Sequence, residues 1–443
     1  VSRFRNTADY VTAVLRRCGE PTNGNSSFID DALEYLNKVN HIVTAGGNIF
    51  SVEVDDTWQW ARARQPMVMQ LQAPYTTGSI SLTNGSEAGV FSTAPAFSVE
   101  GWHFQVRQNS LSPQGDREIY KIVSHTAGSP NFEFDTGYLG GTGAGLNFNC
   151  FKIDYEIVPE YIYVDATNNK IDFLETTATP LAATLTHGSY TVAAYATHVA
   201  ARLSAAGAST YTGTYNTTTR KFSITSNLTG GGGLFSLLGA TGTNLGSSAL
   251  PTLGFDDLDY TTAATQTSTY ILGGISRMIE PFRVFKTWNS TIDAVDNLKM
   301  SDEYPLSDTR MGIPTKFTRL NEDKDGRIWV RFNKYPQNAT KIEVECVPVP
   351  RDLQNNAASI PLIPRKYSDV LEYGAASLLL LDKEDTKASV YEGLAGRQLK
   401  AMQANNRSEL YKAGRNFGEL VPREDLSYDR RVKLRYGYTT EDN

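Results

Sequence analysis

Cysteine is scarce in this chain: Cys18, Cys150 and Cys346 are the only three in 443 residues. Thiols odd in number and this far apart spell neither a disulfide framework nor a zinc site, so all three are expected as reduced core or strand residues. Histidine is nearly as sparse. His41, His103, His125, His187 and His198 contain no His-x-x-x-His pair. The one Glu-x-x-His match, Glu100 to His103, falls in a stretch of β character where no helix face would align its ends. No metal and no cofactor are therefore expected. A Gly-x-Ser-x-Gly elbow is absent, and no cysteine stands in a thiol-protease context. The opening Val1-Ser2-Arg3-Phe4-Arg5 lacks an apolar leader core, and no run of about eighteen apolar residues could span a bilayer. Synthesis in the cytosol and no membrane partner are the expectation. Excess positive charge is missing too: the net charge of -6 argues against a groove that grips nucleic acid through many phosphates, though an acidic wall past which DNA slides is compatible with it.

What is present is an ordered composition, 40% hydrophobic with an 11% aromatic share, and three zones of different character. Residues 1–72 read as two helices and a strand. Thr7 is placed to cap a helix whose apolar positions Tyr10, Val11, Val14, Leu15 and Cys18 recur at three and four, ending at Gly19. Ser27 with Asp30 resembles a capping box ahead of the stripe Phe28, Ile29, Leu33, Leu36, Val39 and Ile42. Residues 73–268 turn rich in Thr, Ser and Gly, which predicts β structure split near 160. A barrel or sandwich module is expected over 73–160. A second β-rich module is expected over 161–268, with one helix at Ser189 to Ala206 and a hairpin around Asn216 to Arg220. Residues 269–405 regain charge. There Lys316 to Leu320, Arg327 to Phe332 and Lys341 to Val347 read as strands, and Ile360-Pro361-Leu362-Ile363-Pro364 opens long helices carrying Val370, Leu371, Leu378, Leu379, Val390, Leu394 and Met402. Residues 406–443 form an extended tail that needs a partner to become ordered. The fold class expected from this order is α+β: a helical core from the N- and C-terminal regions, with a β-hairpin region and two inserted β-rich modules.

Few residues invite chemistry. Asn321 to Gly326 starts like an EF-hand loop, but its twelfth position is Phe332 and strands flank it, so a polar hairpin turn is expected. Gly140 to Gly145 runs into a strand pattern and not a helix N-terminus, and reads as a loop; so does the glycine run Gly230 to Gly233. Glu20, Asp30, Asp31 and Glu34 are carboxylates near helices that a glycoside-cleaving pair would need, and their plainer role is capping and solvation. In the tail, Arg407, Tyr411, Arg415, Phe417, Tyr428, Arg430, Arg431, Arg435 and Tyr436 interleave aromatic and basic groups. Glu409, Glu419, Glu424, Asp425 and Asp429 nearly cancel the charge, which favours a protein interface over nucleic acid.

The order of these pieces resembles a known family. Two short helices, a strand, a turn-rich insertion, Gly312-Ile313-Pro314-Thr315-Lys316-Phe317, a strand ending Lys334-Tyr335-Pro336, then Val347 to Leu353 and Ile360 to Pro364 before Leu371-Glu372-Tyr373-Gly374-Ala375 are similar to the tail adaptor (head-to-tail connector) proteins of tailed bacteriophages. The likeness covers roughly residues 1–160 and 269–405. It implies a non-enzymatic structural protein of the virion, made in the host cytoplasm and placed at the head-tail junction. Such a protein forms a ring of twelve copies beneath the portal protein and joins it to tail or nozzle proteins and to tail fibres. Genomic DNA passes through the channel without sequence-specific binding. The family's C-terminal extension reaches along the portal, and residues 407–443 match it in position. Two other classes stay open, a tail-fibre or baseplate protein and a virion-associated cell-wall hydrolase.

Overall fold

Period-two apolar runs outnumber helical ones along the chain, and the structure follows them. It is a computed structural model and describes residues 6–417 apart from 23–25, 55–57, 64–65, 108–114, 176–178, 228–233, 285–289, 307–309 and 324; residues 280, 281 and 407–417 are described by their backbone alone. The glycine run at 230–233 and the tail beyond 417 thus lie outside the described residues. The described helices are α1 (Thr7–Cys18), α2 (Ser26–Ala45), α3 (Val192–Ala206), α4 (Asn297–Glu303), α5 (Asp369–Asp382) and α6 (Ala388–Phe417).

Four of these helices, α1, α2, α5 and α6, form one layer with a shared core of Val14, Leu36, Val39, Leu371, Leu379 and Met402. The cap of α1 is Asn6 and not Thr7. The Asn6 side chain accepts from the Asp9 N–H while the Asp9 carboxylate accepts from the Asn6 N–H, a reciprocal capping box. Thr7 sits one residue further in, buried, its hydroxyl donating to the Ser359 carbonyl at 2.8 Å. Gly19 closes the helix at φ 73°, in the left-handed region.

The first of two seven-stranded sheets runs, neighbour to neighbour, Phe148–Phe151, His103–Val106, Ile119–His125, Asn131–Phe134, Ala88–Phe91, Ile80–Leu82, Gly143–Leu146. Its two edge strands are one stretch of chain, separated only by Asn147, whose carbonyl accepts from the Arg107 N–H. The sheet therefore closes on itself as a barrel-like sheet. Its interior is aromatic, with Phe91 and Phe132 at 4.3 Å between ring centroids and Phe104 edge-on to Phe134 at 5.1 Å.

The second sheet runs Asp154–Glu156, Ile328–Phe332, Lys316–Glu322, Thr291–Ala294, Ile275–Val284, Thr340–Pro348, Met67–Leu71. After Glu156 the chain crosses from one edge to the other: the Ile157 N–H donates to Ile328 and the Glu160 N–H to Val68. Lys341 ties that crossing down through Glu160 at 2.8 Å. Phe282 stacks on Phe317 inside, with centroids 3.9 Å apart. Between the two barrel stretches in sequence, residues 161–272 form a third body in which α3 packs on the hairpin Tyr211–Asn216 and Lys221–Ser226 around Phe173, Tyr195, Val199, Leu203 and Phe222. Gly213 permits the close approach, since a Cβ there would stand 2.3 Å from the Ala196 carbonyl oxygen.

The expectation of a helical core carrying inserted modules is overturned. The molecule is mostly β, with two barrel-like sheets. The helical stripes do pack together, but as a separate layer. The central segments counted toward that core instead build the second barrel, which has a core of its own. Its longest strand hides in the sequence because Pro281, lacking an N–H, stands inside it; the ladder accommodates this with a register shift between Ile279 and Arg283.

Candidate docking site at the α5–α6 hairpin

The stretch Ile360 to Pro364 alternates. Ile360 and Leu362 are 55% and 62% exposed, whereas Pro361 and Ile363 are buried. Two large apolar side chains thus stand in solvent two residues apart where the chain bends at Leu362 and Ile363, an arrangement that isolated surface leucines do not make. Pro364 is extended, and its carbonyl accepts from the Tyr367 N–H to start the single turn Arg365–Tyr367 that delivers the chain into α5.

Helix α5 is buried along most of its length, including Glu372 at 3% exposure. That carboxylate is paired with Arg17 of α1 at 2.6 Å, and the guanidinium lies 4.5 Å from the Tyr373 ring centroid. Gly374 leaves room for Phe50, whose ring atoms would come within 2.7 Å of a Cβ. Around the turn, Lys383 binds Glu20, and Ser377 donates to the Ala388 carbonyl at 3.1 Å, joining the two helices where α6 begins.

The two helices are unequal. α5 has 14 residues and α6 has 30, about 21 Å against about 45 Å at 1.5 Å per residue. An antiparallel partner of that length can match only the first half of α6. Further along, Met402 and Asn406 wall a cleft of about 330 Å³ whose other side is Trp58, Trp60, Pro364 and Tyr367, with Gln59 and Lys366 at its mouth. The two tryptophan rings stack 5.9 Å apart. Trp58 donates its indole N–H to the Val43 carbonyl, and the Gln59 N–H donates to Asn406 Oδ1. Lys366 lies 4.7 Å from the Tyr367 ring centroid. The cleft therefore adjoins the Ile360–Leu362 ridge through Pro364 and is built from three segments far apart in sequence.

Of the tail residues singled out from sequence, Arg407, Tyr411, Arg415 and Phe417 fall on the last turns of α6, which continues through a stretch expected to be extended. The first three recur every four residues and so share one side of the helix. Tyr428, Arg430, Arg431, Arg435 and Tyr436 lie outside the described residues. Sequence reasoning missed Trp58, Trp60 and Tyr367 as lining residues; the Trp-x-Trp spacing was a signal, but nothing local tied it to Met402.

The remaining candidates take structural places. Glu20 is held by Lys383, Asp30 and Glu34 are exposed on α2, and Asp31 is half-buried there. Asp323 spends one carboxylate oxygen on the N–H groups of Asp325 and Arg327, as a tight hairpin turn does; Lys324 lies outside the described residues. No group of three or more metal-ligating side chains occurs among the described residues. Gly143–Leu146 is a strand of the first barrel. Burial pushes the Cys18 thiol up to about 11 and that of Cys346 up to about 12, and moves Cys150 up as well, so all three are thiols at neutral pH.

No family model matches the chain, and no curated protein matches it. Among solved structures, a phage phi92 endosialidase aligns at 9% identity over 70% of this chain and 58% of its own, with a TM-score of 0.15. The chain thus spans less than two thirds of that protein, and a superposition so loose assigns neither fold nor function.

Proposed function

We propose that the chain is a structural subunit of a tailed-phage virion, a ring-forming adaptor that joins the portal protein to the tail and leaves a channel for DNA ejection. Its role is mechanical and involves no catalytic step. The observation that supports this reading is the mismatch of α5 and α6: a 30-residue helix carries the Arg- and Tyr-rich segment beyond the reach of its 14-residue partner. A helix of that kind is suited to gripping a second protein, and Arg407, Tyr411 and Arg415 along one side supply residue types enriched at interfaces. Closed rings need a different face of each subunit at either side of the contact, and a net charge of -6 suits a channel that DNA must traverse without sticking.

The β-rich architecture favours one other reading, a tail-fibre or baseplate subunit. Negative-stain imaging and native mass measurement, with and without portal protein, separate the two: the adaptor gives a ring of about twelve copies with a central channel, as its family resemblance implies, and the fibre subunit gives a trimer. Deleting residues 407–443 is predicted to abolish co-sedimentation with portal while leaving the thermal unfolding of the rest within a degree or two. Undiminished co-sedimentation of the shortened chain would remove the role assigned to the tail.

A further inference from the structure

Beyond Phe417 lie 26 residues (418–443). Their sequence from Leu426 to Tyr438 alternates with period two: Leu426, Tyr428, Val432, Leu434, Tyr436 and Tyr438 occupy even positions, and polar residues or glycine the odd ones, with Arg430 as the one charged exception on the apolar side. That is the pattern of a strand with one apolar and one basic face. On the described surface, Ile360 and Leu362 present exposed apolar side chains with the same two-residue spacing, ahead of a bend at Leu362 and Ile363. The aromatic cleft of Trp58, Trp60 and Tyr367 is also lined by Pro364, two residues on from Leu362.

We infer that residues 426–438 of one copy seat on the Ile360–Leu362 ridge and the adjoining aromatic cleft of a second copy, linking neighbours in the ring. The inference rests on the ring reading above. A head-to-tail ring needs a donor face and a different acceptor face on every subunit. The ridge and cleft are an acceptor, and the alternating segment is a donor of matching period. Pro361 and Pro364 have no N–H to give to a ladder, so contact there runs through side chains and favours an apolar face over a bare strand edge. The path also fits. α6 carries the chain 11 residues beyond Asn406, about 17 Å from the cleft, and the nine residues from Phe417 to Leu426 extend that reach by up to about 30 Å. Reaching its own cleft requires the chain to reverse, whereas a neighbour ahead in the ring is met going forward. This divides the tail: residues 407–417 face the portal and 426–438 the next subunit.

The test uses the full chain with a photo-reactive p-benzoylphenylalanine in place of Leu362, mixed in equal amounts with full chain labelled with nitrogen-15. Irradiation should join the peptide bearing position 362 to a peptide from 426–438 that carries the heavy label. Native mass on the same sample reports assembly. A ring whose 362 adducts lack 426–438 overturns the inference and leaves the adaptor reading standing; a monomer overturns both. Adducts to 426–438 that never mix isotopes show the segment seated on its own chain, which also overturns it. The double substitution Ile360→Asp, Leu362→Asp, at exposed positions, should raise the concentration at which rings dissociate at least tenfold, and an unchanged midpoint counts against the ridge.

Discussion

Arg220 is the residue whose removal the structure prices most clearly. It is 1% exposed and stands at the end of the 216–220 turn with φ 55°, a left-handed conformation rare for a side chain of this size. Its Nη2 donates to the carbonyls of Leu272 and Gly273 at 2.7 and 3.2 Å, and its Nη1 to Glu156 at 3.1 Å. Glu156 belongs to the edge strand of the second barrel, so one side chain fastens the hairpin of the third body to the barrel beside it. In Arg220→Ala, two carbonyls and a carboxylate lose their donor. Breaking a buried pair costs about 3–5 kcal/mol when the survivor is stranded. Glu156 is 25% exposed and keeps Arg327 at 3.5 Å, so the lower end, about 3 kcal/mol, applies. Loss of the strained φ returns less than this, about 1 kcal/mol at most, because alanine also carries a Cβ. Hydrogen exchange followed by mass spectrometry is the suitable assay, because a chain with several cores does not unfold in one step. Peptides covering 211–226 and 270–275 should exchange roughly 100-fold faster in the variant, that factor being about 3 kcal/mol at 1.4 kcal/mol per tenfold, while the first barrel is unaffected. A change below threefold there, or one spread evenly over all peptides, would refute the assignment of Arg220 as the fastening.

Other expectations concern the first barrel. Gly89→Ala would place a Cβ 2.4 Å from Phe132 Cζ and 2.8 Å from Leu82 Cδ2, and since Phe132 is fully enclosed the overpacking should cost about 1–3 kcal/mol, seen as a lowered denaturation midpoint of the 80–151 peptides. His103 is buried against Phe151, and burial above all lowers its pKa to about 4 from 6.5. It is neutral in the fold and takes a proton more readily in the unfolded chain. Its contribution is therefore complete above pH 6.5 and is lost as pH falls toward 4, at about 1.4 kcal/mol per pH unit. His103→Phe should flatten barrel stability across that window, and an unchanged pH profile in the variant would show that the imidazole is not the group responsible.

Local chemistry was legible where it was sufficient by itself. The three-and-four spacing of Tyr10, Val11, Val14 and Leu15 gave α1 its extent, and all four are buried. The Asn216 to Arg220 turn was readable from its polar run, since Asn216 Oδ1 accepts from the N–H groups of Thr218 and Thr219. What sequence reading lost was set by distant partners. Nothing near Ile157 announces that its stretch will bridge Ile328 and Val68 to close a barrel. Pro281 argued against the strand that contains it. The helix beyond Met402 was invisible because Asn405, Asn406, Ser408 and Gly414 break the apolar stripe and lower propensity, so period and composition pointed to a tail. The candidate cleft was hidden for the same reason as the barrel closure: Trp58, Tyr367 and Met402 are far apart in sequence and meet only in the fold.

The third body is fastened at a second place, and the comparison with Arg220 indicates what such contacts do. Arg351 donates to the Phe255 carbonyl at 2.7 Å and lies 5.7 Å from the Tyr270 ring centroid. Burial lowers its pKa against the opposing pull of Asp257 and Asp256, and burial likewise raises that of Asp257. Both groups therefore bear a desolvation penalty that their mutual attraction only partly offsets. Next to them Asp352 accepts from the Tyr270 hydroxyl and meets His41 of α2 at 2.9 Å, and Asn356 donates to the Asp257 carbonyl. An apolar junction would hold as firmly, but it would tolerate sliding. Directional bonds from Arg220 to the second barrel, and from Arg351 and Asp352 to Phe255 and Tyr270, with Asp352 also meeting His41 of α2, fix the third body at two separate points, which determines its orientation as well as its attachment. For the ring proposed above, that property would matter, because an error in the angle of one body is repeated at every copy and prevents a ring from closing.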